Sequence, residues 1–355
     1  MTDKMMKAVQ LTGKESLRLT EVPIPEIGPG EMLLRVRAAS ICGTDVRMYK
    51  NGYKNVSEEH PLIPGHEFSG DIAAVGKDVN GYAVGQKVSV APNVGCGVCD
   101  MCVSGNTHLC KTYEAFGVSM DGGFAEYVRI PENVVRQGNV SPLKAEISYP
   151  AAALVEPLSC VYNGQMLLNA PKGADTLVIG MGPIGIMHIM TAKVFGAGRI
   201  FVNDLNTERL RKAKELIPDV IPLEGDVMAG LKENGAEGVD VCIIAAPAAS
   251  AQAQSLEYMN TNGKILYFGG LPAGKENVTI NTNLIHYKQL TIQGCSKQSV
   301  SSYRLCAKLV NDGRIPLNLI MSDAYQIERF QEAMDNAAAA RGLKHVIVFD
   351  PEELP

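Results

Sequence analysis

A chain of 355 residues is longer than one small core can use, and length alone favours two domains. With 46% hydrophobic residues, 20% charged and 35 glycines, its composition is that of a soluble, Gly-rich α/β protein. A formal net charge of −5 argues against a nucleic-acid partner, and no uninterrupted apolar run is long enough to span a membrane.

The first stretch, MTDKMMKAVQLTGKESLRL, has no apolar core of signal-peptide type, so a cytoplasmic protein is expected. Thiols stay reduced there, and nine cysteines are an odd number that cannot all pair within the chain. The first ~150 residues read as β-rich. EMLLRVRAAS and QKVSVAP alternate apolar with polar residues, and Pro–Gly segments (IPEIGPGE, IPGHEFSG, YAVGQKV) separate the strands. Within this region GCGVCDMCVSGNTHLC holds Cys96, Cys99, Cys102 and Cys110. Repeated C-x-x-C spacing suits four thiolates around one tetrahedral zinc better than it suits disulfide geometry. Four sulfurs close the coordination shell, so this zinc is expected to be structural and the chemistry to lie elsewhere.

At SYPAAALVEPLSCVYNGQMLL the texture becomes Ala-rich and helical. TLVIG then reads as a buried strand, PIGIMHIMTAKVF as a helix, RIFVND as a strand and TERLRKAKEL as an amphipathic helix. VDVCIIAAP and GKILYFGG follow as core strands, with SAQAQSLEYMN as a helix between them. Short apolar strands joined by helices imply a parallel, doubly wound sheet. The segment from LTIQGCS onward ends in a strand, KHVIVFD, that can fold back onto either domain, and AAAA at 337–340 fits a helix.

GMGPIG, at 180–185, follows a strand and opens a helix. Gly180 permits a tight turn, Gly182 admits a pyrophosphate and Gly185 lets helix and strand pack closely. Gly180, Gly182, Pro183, Ile184 and Gly185 are therefore candidate dinucleotide contacts, with the phosphates on the helix N-terminus. Asp204 ends the next strand, 24 residues after Gly180. Its carboxylate can bind both ribose hydroxyls and repel a 2′-phosphate, favouring NAD over NADP, while Arg209 on the following helix can reach back. The plainer role for Asp204 is a helix N-cap before TERL. A second metal-ligand set comes from ICGTD and GHEFSG: Cys42, His66 and Glu67, with Glu156 of LVEPLS as a further candidate. Scattered S, N and O donors suit a catalytic zinc that keeps one position open.

In combination these residues resemble the zinc-containing medium-chain dehydrogenases, in the branch of polyol (sorbitol/iditol) and butanediol dehydrogenases. ICGTD, GHEFSG, the four-cysteine lobe, DGGFAEYV, VEP and GMGPIG stand in that family's order and spacing. The resemblance implies a GroES-like catalytic domain over 1–154 and 291–355, a Rossmann NAD-binding domain over 155–290, and an active site in the cleft. It implies that Cys42, His66 and Glu67 ligate the catalytic zinc, and that Glu156 binds the zinc or holds its water. Thr44 then relays the substrate proton, and Asp45 supports the zinc-binding histidine. Cofactors are NAD and two zinc ions per chain, one catalytic and one structural. The expected reaction converts a secondary hydroxyl of a small polyol to a ketone, in a homodimer or homotetramer with neither nucleic acid nor membrane as partner. Ionisation makes an alcohol a hydride donor, and zinc, which lowers the pKa of bound water from about 15.7 to about 7, favours it.

Two positions depart from many relatives. Arg47 stands where a histidine is common, and GCSKQS replaces an aromatic–arginine pair, with Lys297 in the arginine's place. Arg47 and Lys297 thus become candidate substrate contacts, and a sugar-alcohol phosphate of the galactitol-1-phosphate type is an alternative substrate. A vicinal diol (2,3-butanediol type) and L-threonine are others, and a non-catalytic, zinc-stabilised nucleotide-binding protein is the alternative outside enzymes. His188, Met181, Met187 and Met190 read as packing, and Cys160, Cys242, Cys295 and Cys306 as small buried hydrophobes. His60, His108, His286 and His345 show no partner pattern.

Overall fold

The strand Met32–Ser40 is the spine of the first half of the fold, and its alternation explains why. Met32, Leu34 and Val36 point into the core while Arg35 is exposed, the period-two pattern of a strand with one wet face. The computed structural model describes residues 4–353. They form two compact units, one made of the chain up to Ser159 together with that from Gln298, the other of Cys160–Lys297.

In the first unit, seven strands make one sheet. Its order is Met321–Gln326, Lys344–Val348, Met32–Ser40, Glu67–Val75, Lys87–Val90 and Val140–Pro142, with Tyr127–Ile130 paired to the first part of Met32–Ser40. The antiparallel register sets Ser40 opposite Glu67 on one side and opposite Val346 on the other. Three segments distant in sequence therefore end at one corner of the sheet. Phe68 packs edge-on against Phe116, and Phe124 against Phe330, in the core beneath it. A short ladder, Asn93–Val94 with Glu114–Ala115, closes a lobe that carries the four clustered cysteines.

The second unit is the doubly wound parallel sheet. Its six strands run Ile221–Pro222, Ile200–Asn203, Thr176–Ile179, Val239–Ile244, Met259–Tyr267, Thr291–Gly294, the 3-2-1-4-5-6 order of a dinucleotide-binding fold. Thr176–Ile179 and Ile200–Asn203 are buried throughout and so show no alternation. Helix Pro183–Phe195 has eight buried residues out of thirteen, which is why its sequence is apolar on nearly every side.

Three expectations need correction. The boundary expected at 290/291 lies at 297/298, because Thr291–Gly294 pairs with Lys264–Tyr267 as the sixth strand of the parallel sheet. The boundary expected at 154/155 lies at 159/160, inside the continuous helix Val155–Leu168, where no turn residue marks it. The helix expected over SAQAQSLEYMN stops at Gln254, and Met259 already pairs with Val239 in the sheet. Among the described residues no helix is long and apolar enough to cross a membrane.

Candidate active site and metal centres

All nine cysteines are free thiols, and four converge in the lobe. Cys99 Sγ lies 3.6 Å from Cys102 Sγ and 3.8 Å from Cys110 Sγ, and Cys96 Sγ lies 3.9 Å from Cys102 Sγ. Four sulfurs each about 2.3 Å from a central zinc stand about 3.8 Å apart on the edges of a tetrahedron. The lobe therefore fits the ion. Backbone N–H groups point at these sulfurs: that of Cys96 donates to Cys110 Sγ at 3.4 Å. This bond, with the Thr112 hydroxyl, brings the Cys110 thiol down to about 6, so the thiolate a metal needs is already favoured. Cys102 is pushed the other way by burial, and a metal ion would supply the compensating charge. Cys99→Ser is expected to halve the zinc content, from two ions per chain to one, and to make the lobe sensitive to protease while sparing NADH binding. Metal analysis and limited proteolysis check this.

The second cluster sits at the sheet corner. Cys42 follows the strand Met32–Ser40 and caps the helix Gly43–Asn51, and Glu67 begins the neighbouring strand Glu67–Val75, with His66 immediately before it. The ligand atoms of Cys42, His66 and Glu67 all lie within 4.8 Å of one another. Pairing of Ser40 with Glu67 produces this proximity. DGG supports it from behind, since the Asp121 carboxylate accepts from the Ile63 N–H at 3.0 Å and the Gly123 N–H donates to the Gly65 carbonyl at 2.7 Å.

Electrostatically the cluster is a cation site. Burial opposes charge on His66, but the Cys42 thiolate and then Asp45 hold its pKa well above the ordinary histidine value. A pocket that negative takes up a proton or a metal ion, so zinc binding there releases a proton. Asp45 Oδ1 faces His66 Nδ1 at 3.6 Å, the arrangement that orients a metal-binding imidazole, while its Oδ2 accepts from the Cys42 N–H at 2.8 Å. Glu67 Oε1 is buried with no hydrogen-bond partner. Such an orphan is costly unless a cation satisfies it, so the donor set fits zinc.

One participant carries no signal in the sequence. Lys344, on the C-terminal strand and 5% exposed, donates from Nζ to Glu67 Oε2 at 2.5 Å and to the Ile41 carbonyl at 3.0 Å. Burial opposes its charge, but Glu67 and then Cys42 more than offset this and keep the ammonium protonated. Glu156, expected as a possible zinc ligand, is not part of the three-residue cluster. It is buried in the first turn of Val155–Leu168, and its charge reaches Lys344. Thr44 lies on the same helix as Arg47, whose Nη2 donates to Thr44 Oγ1 at 2.9 Å.

In the second unit the glycine loop behaves as its spacing requires. Gly180 has φ +100°, a conformation that side chains disfavour, and a Cβ on Gly185 would lie 1.8 Å from the Gly180 carbonyl oxygen. Around Gly182, by contrast, there is open space within 4 Å, where a phosphate can approach the backbone. Pro183 takes the first helical position, and Ile184 and Gly185 follow it in the turn whose N–H groups lack partners within the helix. The loop fits a dinucleotide. Asp204 is not the helix N-cap, which is Asn206. Its Oδ2 accepts from the Met181 N–H at 2.7 Å and its Oδ1 from the Asn206 N–H at 2.8 Å, tying the loop to the end of the next strand. Each oxygen keeps a second lone pair for a ribose hydroxyl. Arg209 is half-buried on the helix after it, and Lys297 has a left-handed backbone (φ +59°) and a pKa lowered by burial.

The remaining residues are structural. His188 is fully buried against Phe268, with Gln165 Nε2 3.1 Å from its Nδ1, and burial takes its pKa down to about 3. Cys242 and Cys306 are buried as expected, but Cys160 and Cys295 are only half-buried. His345 does have partners: its Nε2 lies 2.7 Å from the Arg341 carbonyl and its Nδ1 3.4 Å from Asp323.

Comparison with known proteins agrees with both halves. Residues 28–139 match the family model described as the alcohol dehydrogenase GroES-like domain, and residues 183–312 that described as zinc-binding dehydrogenase. The chain is 35% identical over 338 residues to an L-threonine 3-dehydrogenase of Rhizobium etli (strain CIAT 652), covering 93% of this chain and 95% of that protein. It is 33% identical over 337 residues to a sorbitol dehydrogenase of Bacillus subtilis (strain 168), covering 94% and 93%. A structure from Sinorhizobium meliloti 1021, described as a zinc-binding dehydrogenase bound to NADP, superposes with TM-score 0.89 at 30% identity, over 97% of this chain and 99% of that one.

Proposed function

The chain belongs to the zinc-containing medium-chain dehydrogenase family, and from that premise we propose that it oxidises a secondary hydroxyl of a polyol to a ketone, passing hydride to NAD. It is an NAD(P)-dependent alcohol-type dehydrogenase with one catalytic and one structural zinc per chain. The observation that carries the polyol reading is the donor set: Cys42 with His66 and Glu67, and a second buried acid, Glu156, nearby. Carboxylates accept hydrogen bonds from the neighbouring hydroxyls of a polyol, which a simple primary alcohol does not offer.

When bound, zinc supplies Lewis acidity to the alcohol oxygen and NAD supplies the hydride acceptor. The protein's own groups do the rest. Cys42, His66 and Glu67 hold the ion, Asp45 fixes the imidazole, and Lys344 takes one oxygen of Glu67 so that the other faces the cluster. Thr44 takes the proton that leaves the substrate hydroxyl. Gly180, Gly182, Pro183, Ile184 and Gly185 cradle the pyrophosphate, and Asp204 binds the ribose.

Asp204 further supports a preference for NAD, since a 2′-phosphate beside it meets like charge. Asp204→Asn, which retains an acceptor oxygen, is expected to narrow the ratio of kcat/KM for NAD over NADP by about tenfold. Steady-state assays with both cofactors decide it, and equal efficiencies in the unaltered enzyme would sink the preference.

L-threonine is the second reading. It is favoured by the 35% identical relative and by the exposed Arg47, a cation able to hold a carboxylate. A polyol phosphate would use Arg47 and Lys297 in the same way, and replacing both by alanine would then raise KM for the phosphate far more than for the free polyol. The working form we propose is a cytoplasmic homodimer or homotetramer acting on a free small molecule, with neither nucleic acid nor membrane as partner. The test is NADH formation by the zinc-loaded protein with polyols, diols, polyol phosphates, L-threonine and ethanol. Best activity on ethanol would end the polyol reading.

A further inference from the structure

We infer that Lys344 is a positioning residue that holds Glu67 to a single oxygen towards the catalytic ion, and thereby selects a small ion with a position left open for substrate. This deepens the function proposed above and rests on Cys42, His66 and Glu67 holding that ion.

A carboxylate can bind a metal through one oxygen or through both, and its own chemistry does not decide which. At this corner of the sheet the choice is removed. Lys344 Nζ donates to Glu67 Oε2 at 2.5 Å, a charge-assisted bond sheltered from solvent, since the lysine is 5% exposed and Glu67 fully buried. The lysine is itself fixed. Its Nζ also donates to the Ile41 carbonyl at 3.0 Å, and the Ile41 N–H donates to the His345 carbonyl at 3.0 Å. Ile41 precedes Cys42, so the group that holds Oε2 is tied to the loop that carries the thiolate. Burial opposes the charge on Lys344, but Glu67, Cys42 and Glu156 together keep it protonated. The oxygen left for a metal is Oε1, which is buried and has no hydrogen-bond partner among the described residues.

The number of donors follows from this. With Oε2 occupied, Cys42, His66 and Glu67 offer one atom each: a sulfur, a nitrogen and an oxygen. Three donors leave a four-coordinate ion one open position, which a catalytic zinc needs. Were Glu67 to turn both oxygens inward, that position would be filled. A larger ion that accepts more ligands would then be favoured over zinc. Lys344 therefore acts on the metal through Glu67, without touching metal or substrate.

Cobalt(II) reads the coordination directly, because its visible absorption weakens as the coordination number rises. It is placed at the Cys42 site with zinc retained in the four-cysteine lobe. The unaltered protein should give the strong spectrum of a four-coordinate ion. Lys344→Met should weaken that spectrum, raise the preference for cadmium over zinc by about tenfold and lower kcat by about tenfold. Lys344→Arg, which keeps a charged donor, should restore the strong spectrum. A weak, higher-coordinate spectrum in the unaltered protein overturns the inference, and that measurement stands even if Lys344→Met does not fold. A Lys344→Met spectrum that matches the unaltered one overturns it too, as does an arginine that rescues no better than methionine. Should Cys42→Ser still hold two metal ions per chain, the assignment of the site itself falls, and the inference with it.

Discussion

Cys42→Ser is expected to leave a folded protein that binds NADH and does not turn over. Removing one thiolate from a three-residue donor set should empty the site, taking zinc from two ions per chain to one. With the Lewis acid goes several kcal/mol of transition-state stabilisation, so kcat should fall by about 10³-fold or more. His66→Ala should behave alike. The signature is the pattern across variants: Cys42→Ser loses activity and keeps the fold, whereas Cys99→Ser loosens the lobe. Retention of both zinc ions and of turnover in Cys42→Ser would refute the assignment of the catalytic site.

Lys344→Met should produce the largest loss of stability. Lys344 is 5% exposed and Glu67 is fully buried, so removing the ammonium leaves a buried carboxylate uncompensated. Breaking a buried pair in this way costs about 3–5 kcal/mol. The size of the loss depends on metal. In zinc-stripped protein nothing replaces the lysine and the full loss should appear, whereas in zinc-loaded protein the ion offsets part of it. Denaturant titrations of both forms, with and without the second change Glu67→Gln, resolve the coupling. An equal loss in the double variant and in Lys344→Met alone would show that the pair is not what stabilises the corner.

Much of this was legible beforehand, for identifiable reasons. Four cysteines at C-x-x-C spacing constrain one another within 16 residues, and GMGPIG declares itself between a strand and a helix, so local geometry sufficed for both. Cys42, His66 and Glu67 were legible because they flank strands that pair. Lys344 was not. Its partners lie 277 and 303 residues away, and a lysine beginning an apolar strand looks like a solvated edge until the strand order is known. Glu156, an acid in a recognisable motif expected to bind the zinc or hold its water, stands on its helix outside the three-residue cluster, buried and close enough for its charge to act on Lys344. The domain boundaries erred because one falls inside a helix and the other just beyond a strand whose only distinguishing feature is its neighbour.

The position of Lys344–Val348, between Met321–Gln326 and Met32–Ser40, also sets an order of events during synthesis. The contiguous unit Cys160–Lys297 can close as soon as it leaves the ribosome, but the first unit cannot. The strand that completes its sheet arrives about 300 residues after its neighbour, or about 15–60 s later at 5–20 residues per second. Through that interval the edge formed by Ala38, Ala39 and Ser40 lacks its partner strand, and Glu67 lacks its lysine. The nascent chain therefore carries a thiolate–imidazole–carboxylate trap for divalent ions before it has the residue that tempers it. Early metal capture and chaperone cover over that edge would both act in this window, and a ribosome-stalled chain ending before Leu343 is the species in which to look for them.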